Sequence, residues 1–312
     1  MLNIVLFCGG SGGKALQRGF DSLFDYGNYR LDAIINAYDN GKSTGICRNV
    51  FNKDILGPSD LRKNQLTQFS LKYKKELEDK NSKEAKLLDL FELRFTADTY
   101  LDYYSRALEL VNEADYLGEK TKQLFTNWID HFFYENKSLR EGIDSIEFKD
   151  FSLSNIFYAS CASLNNNSLE KAGMAMSEVL GLEDRVHVIS DVNVFLHART
   201  ESGYIIDDEG DLVAWNNPND KVVEALLWTK DGKDYLPSVN EQNEKDMIKI
   251  VNNADIIIFS SGTQWSSLIP TYMHKGFREL INSCKAKKYL VMNNKEDYDC
   301  IGVGADELLK TL

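Results

Sequence analysis

Short apolar runs punctuate the chain, and most are followed by glycine, serine or asparagine and then by a helical period. Residues 2–8 read as a buried strand, 13–25 as a helix and 31–37 as a second strand. Strand, helix and strand at this spacing predict a βαβ unit, hence a parallel sheet with a right-handed crossover. Further strands are expected at 185–189, 194–198, 203–206, 222–228, 255–259 and 286–292. Helices are expected at 168–181, 244–253 and 275–284, with a last one beginning near Gly304. The middle of the chain has another rhythm. Residues 70–147 are rich in lysine and glutamate, with apolar stripes at helical spacing. One runs from Leu87 to Phe95, a second from Tyr100 to Val111, a third from Leu124 to Phe133. These predict three or more amphipathic helices packed as a subdomain or lid, with the aromatic residues as its core. Residues 151–163 are small and apolar, as in a helix lying close against a sheet, and Asn155 within them needs polar partners.

Composition narrows the class. The 312 residues suffice for one large or two ordinary domains, and 43% apolar content supports a sizeable core. A net charge of −12 argues against a nucleic-acid partner or an anionic membrane surface, though not against a local anion pocket. The five cysteines are scattered without a C-x-x-C pair, which suggests reduced thiols, no zinc site and a cytoplasmic location. No signal peptide is visible at the start, and no apolar run could span a bilayer.

Four loops carry candidate chemistry. The first, Gly9-Gly10-Ser11-Gly12-Gly13, ends the first strand and opens a helix. Glycines allow close backbone approach, and helix-start amides suit a phosphate. The same pattern also serves as a plain tight connection. It fits a dinucleotide fingerprint only in the frame Gly10, Gly12, Ala15, and it is no Walker A loop. The second loop, 38–45, offers Asp39, Lys42, Ser43 and Thr44, groups suited to a cation and to phosphate oxygens, or to a solvated turn. In the third, Ser59 or Asp60 can cap a helix, which places Arg62 in the first turn. A cation is unfavourable there, so an anion or an acidic neighbour is expected beside it. The fourth, 260–267, repeats the glycine, serine and threonine chemistry after a buried strand. His131 reads as a surface or satisfied histidine.

In order, these loops resemble the family that joins 2-phospho-L-lactate transferases with bacterial gluconeogenesis factors. The resemblance rests on residues 9–13, 39–45 and 57–64, on Leu90 to Phe95 and Ser152 to Asn155, and on Ser190-Asp191 and Leu196-His197-Ala198. It continues through Ala254 to Thr263 and Ser266 to Pro270, and so covers nearly the whole chain. Asn40 stands where the family often has a second acid, and 96–149 looks like an insertion relative to the gluconeogenesis-factor branch. The resemblance implies a three-layer α/β/α fold with a mainly parallel Rossmann-like sheet. It implies a single domain over 1–312 with a helical insertion at roughly 75–149, with a piece of a longer protein as the alternative to a whole chain. It also implies a nucleotide-linked small-molecule substrate, Mg²⁺, and a homodimer as a candidate assembly.

On this resemblance Asp39 would hold the metal, and Lys42 or Arg62 would offset charge on phosphoryl oxygens. Asn155 would orient the donor or the metal's water. The amides of Gly9, Gly10, Ser11, Gly12 and Gly13 would hold phosphates, as would Ser260, Gly262 and Thr263. Asn64 and Asp191 complete the expected binding set, Asp191 toward ribose or metal. Two activities follow: a transferase acting on a nucleotide-diphosphate donor, or a nucleotide-sugar-binding regulator without turnover. An NAD-dependent dehydrogenase is disfavoured, because Asp32 lies inside the second strand and not at its end.

Overall fold

A computed structural model describes all residues except 11, 25–26, 136–147, 208, 295–297 and 312. The chain forms two compact units, Met1–Gly41 with Arg185–Leu312, and Lys42–Asp184.

In the first unit, β1 (Leu2–Cys8), α1 (Gly12–Phe24) and β2 (Tyr29–Ile35) make the expected βαβ unit, with Leu6 paired to Ala33 in parallel. The second unit follows as α2 (Lys42–Val50), α3 (Ser59–Lys72), α4 (Lys83–Glu92), β3 (Arg94–Ala97), α5 (Tyr100–Glu113) and α6 (Glu119–Asp130). It is completed by β4 (Phe148–Ser152), α7 (Leu153–Leu164) and α8 (Leu169–Val179). The first unit resumes with β5 (Val186–Val188), β6 (Phe195–Thr200), β7 (Ile205–Ile206), α9 (Glu209–Val213) and β8 (Val222–Trp228). It closes with α10 (Met247–Asn252), β9 (Ile256–Phe259), α11 (Ile269–Tyr272), α12 (Phe277–Ser283), β10 (Lys287–Leu290) and α13 (Ala305–Thr311).

The main sheet is parallel, in the order β10-β9-β1-β2-β5, and a smaller antiparallel sheet runs β7-β6-β8. The fold class is the expected three-layer α/β. β1 is central and buried from Ile4 to Cys8, as an apolar run flanked on both sides requires. Strand order reverses there, since β2 lies on one side of β1 and β9 on the other. Ligands of open α/β sheets bind beyond the carboxyl ends of strands at such a reversal.

The stretch 75–149 lies inside the second unit, which extends on both sides of it. Its aromatic stripes do form a core: Phe125 stacks on Phe157 with centroids 4.3 Å apart, and Phe91 meets both edge-on. Phe95 departs from the helical stripe. It lies in β3, paired with Phe151 of β4, because its ring stacks on Tyr103. For the same reason residues 151–152 finish a strand and the small-residue helix begins at Leu153; it packs mainly on α6 and α8, not on a sheet, its small side chains letting the helices approach closely. The helix expected from 244 starts at Met247, where the Asp246 side chain accepts from the Lys249 amide as an N-cap. His131 is satisfied, its Nε2 3.0 Å from the Ser163 hydroxyl and its ring stacked on Phe51.

All five cysteines are free and buried. Burial pushes the Cys47 thiol far above its usual range and Cys161 up to about 11. A thiol reagent at neutral pH should therefore leave the folded protein nearly unmodified and titrate five groups in denaturant. Rapid labelling of the native chain would contradict this packing.

Candidate functional site

In the first unit, the loop after β1 and the loop after β9 meet backbone to backbone. A Cβ on Gly12 would sit 2.0 Å from the Ser261 carbonyl oxygen, and one on Gly13 would sit 2.8 Å from Cys8 Cβ and Sγ. These two glycines are thus required by the protein's own packing of α1 against β1 and the 261–262 backbone. Gly9 and Gly10 are buried at the end of β1, and Ser11 lies outside the described residues.

The β9 loop is tied down from several sides. The Ser260 amide donates to the Phe7 carbonyl (2.9 Å), and its hydroxyl donates to the Ser261 carbonyl (2.9 Å). Gly262 adopts φ +152°, and its carbonyl accepts from Asn293 Nδ2 (3.0 Å). The Thr263 hydroxyl bonds Ser266 and Ser267 within one turn (2.7 and 2.8 Å). Asp299 Oδ2 accepts from the Trp265 and Ser266 amides (3.0 and 3.2 Å), so a carboxylate already serves the start of that turn.

The loop after β2 is shorter than expected, because a helix begins at Lys42. Asp39 Oδ1 accepts from the Gly41 amide (2.7 Å), an Asx-type turn that makes Asp39 half-buried at the sheet edge. Asn40 Oδ1 accepts from the Glu209 amide (3.1 Å). A Cβ on Gly41 would lie 2.7 Å from Glu209 Oε2 and 3.5 Å from Asp39 Oδ1. Two carboxylates thus converge on one side of Gly41. Asn40, in place of an acid, fastens the segment that brings the second. Asp191 is buried after β5, with its amide donating to the Glu241 carbonyl (3.1 Å).

Below this edge, Tyr38 OH meets Nε2 of the buried His274 (2.6 Å). Burial holds His274 down at about 3, so its ring is neutral. The Tyr38 amide in turn donates to Asn36 Oδ1 (2.8 Å), and Asn36 Nδ2 donates to the Ser266 carbonyl (2.9 Å).

In the second unit, the starts of α2, α3 and α7 meet. Asn155 is fully buried, and its Nδ2 donates to the Ser43 and Ser59 hydroxyls, each 3.2 Å away. Ser59 Oγ is also 2.5 Å from Thr44 Oγ1. Neither Ser59 nor Asp60 caps α3: the N-cap position is Pro58, and no side chain caps the helix. Ser59 turns instead toward Thr44 and Asn155. Arg62 is buried in the first turn of α3, as expected, with Nη1 near the Phe91 carbonyl (3.3 Å) and the Ser154 hydroxyl (3.4 Å). Among the described residues no carboxylate pairs with it. Asn64 Nδ2 folds back onto the Asp60 carbonyl one turn earlier (2.9 Å). The Lys42 side chain lies outside the described residues.

The model of the 2-phospho-L-lactate transferase CofD family matches residues 4–303. The chain belongs to this family. A relative in Aquifex aeolicus is 23% identical over 292 residues, 94% of this chain and 67% of that protein. The gluconeogenesis factors of Bacillus subtilis and Halalkalibacterium halodurans are each 23% identical, over 93% of this chain and 67% and 66% of their own lengths. The CofD-family chain described here therefore spans about two thirds of the length of these relatives. In fold it is similar to the crystal structure of a UPF0052 family member from Bacillus halodurans, with a TM-score of 0.62 and 20% identity, covering 100% of this chain and 76% of that one. Among the described residues no helix is long and apolar enough to cross a membrane.

Reading the loops alone misses Glu209, which sits in an acidic run 170 residues after Asp39, about the distance no spacing rule reaches. It also misses Asp299 and His274, whose roles arise only when β9 and β2 lie in one sheet.

Proposed function

We propose that this CofD-family chain is a nucleotide-diphosphate-dependent transferase. An alcohol oxygen attacks a phosphorus of a nucleotide-linked donor, the P–O–P bond breaks, and a nucleoside monophosphate leaves with the electron pair. The observation that carries this reading is the fused pair of loops at the strand-order reversal, where the start of α1 lies on the 261–262 backbone with Asp39 at the same sheet edge. Helix-start amides and an exposed loop backbone suit phosphate oxygens. Ser260, Gly262 and Thr263 contribute backbone here; the Thr263 hydroxyl is engaged within its own turn.

The residues present also fit Mg²⁺. Two carboxylate oxygens face the space that a Cβ on Gly41 would fill, and Mg²⁺ is commonly held through one or two carboxylates plus substrate phosphates. Asp39 and Glu209 would hold it. The ion would supply charge neutralisation on phosphoryl oxygens, which is most of what such transfer needs. The Asp39 carboxylate is oriented by the Gly41 amide, and the Asn40 side chain fixes the Glu209 backbone. Asp191 is the remaining candidate in this unit for contacting the donor, and buried thiols without disulfides suit a reducing cytoplasm.

A second reading, nucleotide binding without turnover, is favoured by the names of the relatives, which are gluconeogenesis factors. Incubating the protein with diphospho-linked donors, a polyol acceptor and Mg²⁺ separates the two. Release of nucleoside monophosphate that requires the acceptor supports the transferase. Binding without release, across guanosine and uridine donors, supports the second reading.

A further inference from the structure

Arg62 is a buried cation in an unusual place. It is 4% exposed, and Nε is buried with no partner. Its Nη1 reaches only neutral oxygens, the Phe91 carbonyl and the Ser154 hydroxyl, at 3.3 and 3.4 Å. The nearest acid on its own helix, Asp60, is already paired with Lys63 (3.2 Å). Through Ser154 the guanidinium lies at the start of α7, and Arg62 itself sits in the first turn of α3; a helix start disfavours a cation. α3, of 14 residues, begins after Pro58 with no side-chain cap, and α7, of 12 residues, begins after Ser152 with none. The two starts are joined by the Asn155–Ser59 hydrogen bond, and Asn155 Oδ1 is itself buried without a partner. Hydroxyls of Ser152 and Ser154 lie 3.2 Å apart beside it.

A buried guanidinium with a partnerless Nε, beside helix starts that carry no side-chain cap, is the donor set of an oxyanion site, although the Ser154 hydroxyl and the Leu153 amide already donate to the Phe91 and Leu93 carbonyls. The one unmatched acceptor, Asn155 Oδ1, would take a hydroxyl hydrogen from the same ligand. We propose that the second unit holds an oxyanion subsite of its own, in which Arg62 binds a carboxylate or phosphate of a hydroxyl-bearing ligand at the start of α7. This assigns Arg62 to ground-state recognition of an anionic group. It does not depend on whether the first unit binds a nucleotide. Burial lowers Arg62 to about 10, with Arg94 adding repulsion against the smaller opposing pull of Tyr158, Glu92 and Cys47.

The test titrates the whole chain with inorganic phosphate or with glycolate, at constant ionic strength set by chloride. The readout is the Arg62 Nε–H signal in ¹H–¹⁵N spectra, assigned by its loss in Arg62→Lys. A saturable shift at millimolar anion is expected. Saturation by phosphate alone assigns a phosphate-bearing ligand, and saturation by glycolate alone assigns a carboxylate. If neither anion moves the signal below about 50 mM, the proposal is overturned. Should Arg62→Lys fail to fold, wild-type crystals soaked in tungstate decide. An anomalous peak beside Arg62 Nε supports the subsite, and an Nε–H bonded to a protein oxygen with no peak overturns it. Failure here leaves nucleotide binding by the first unit untouched, and failure of nucleotide binding leaves these readouts intact.

Discussion

Gly12→Ala is expected to cost several kcal/mol of stability and to abolish ligand binding by the first unit. The added methyl would lie 2.0 Å from the Ser261 carbonyl oxygen, 3.0 Å from its carbon and 3.3 Å from Gly262 Cα. All three neighbours are backbone of a loop anchored by Ser260, Asn293 and Asp299, so none can swing aside as a side chain would. Overpacking of this sort costs about 1–3 kcal/mol and sometimes more. Two neighbours in the same helix calibrate the result. Gly13→Ala meets Cys8 Cβ and Sγ at 2.8 Å; the thiol can rotate but the Cβ cannot, so it should still destabilise, by less than the 2.0 Å backbone clash of Gly12→Ala. Gly19→Ala meets nothing within 4 Å and should stabilise the helix by roughly 0.5–1 kcal/mol. Urea midpoints of the three variants test the order. Equal midpoints for Gly12→Ala and Gly13→Ala would mean that the two loops are not in contact.

Mild acid should destabilise the protein through His274. The folded ring is held neutral down to about 3 by burial, whereas an unfolded histidine protonates near 6.5. Between those values the unfolded state binds one more proton, so stability rises with pH and is lost as pH falls below about 6.5. The slope approaches about 1.4 kcal/mol per pH unit. His197 acts in the same direction, since burial also lowers it, against the pull of Asp207. Asp32 works in a separate window. Burial raises it, but hydrogen bonds from His187 and Arg30 outweigh that and hold it low, so its contribution is lost only below its ordinary value of 3.8. Unfolding free energies from urea titrations at pH 7 and pH 5 should therefore differ by about 2 kcal/mol, and His274→Gln should flatten most of that difference while keeping a partner for Tyr38. An unchanged slope in the variant would remove His274 from the account.

The centre of the sheet was legible in the sequence because β1 and β9 are apolar runs, buried over most of their length, that end at Gly9 and Ser260; the edge strand β10 is polar and exposed. The helices were legible in period but less so at their ends. Pro58, not Ser59, precedes α3, since Ser59 has better partners in Thr44 and Asn155 than in its own helix. Phe95 escaped its stripe because a stacking partner, Tyr103, lies in the next helix. At the candidate site, glycine content pointed to the right loops for a partly different reason. Gly12 and Gly13 make room for Ser261 and Cys8, and that contact fuses the loops. Glu209 and His274 were silent, because a half-buried acid in an acidic run and a lone histidine have no local signature.

The most direct measurement of the central claim, that phosphate sits at the β1 and β9 loops beside Asp39, is calorimetric titration with GDP and UDP, with and without Mg²⁺, on the wild type and Asp39→Ala. The account predicts that at least one nucleotide binds, that Mg²⁺ tightens it at least tenfold, and that Asp39→Ala removes the Mg²⁺ effect while the thermal midpoint stays within a few degrees. Absence of binding by either nucleotide, or an undiminished Mg²⁺ effect in Asp39→Ala, would contradict it.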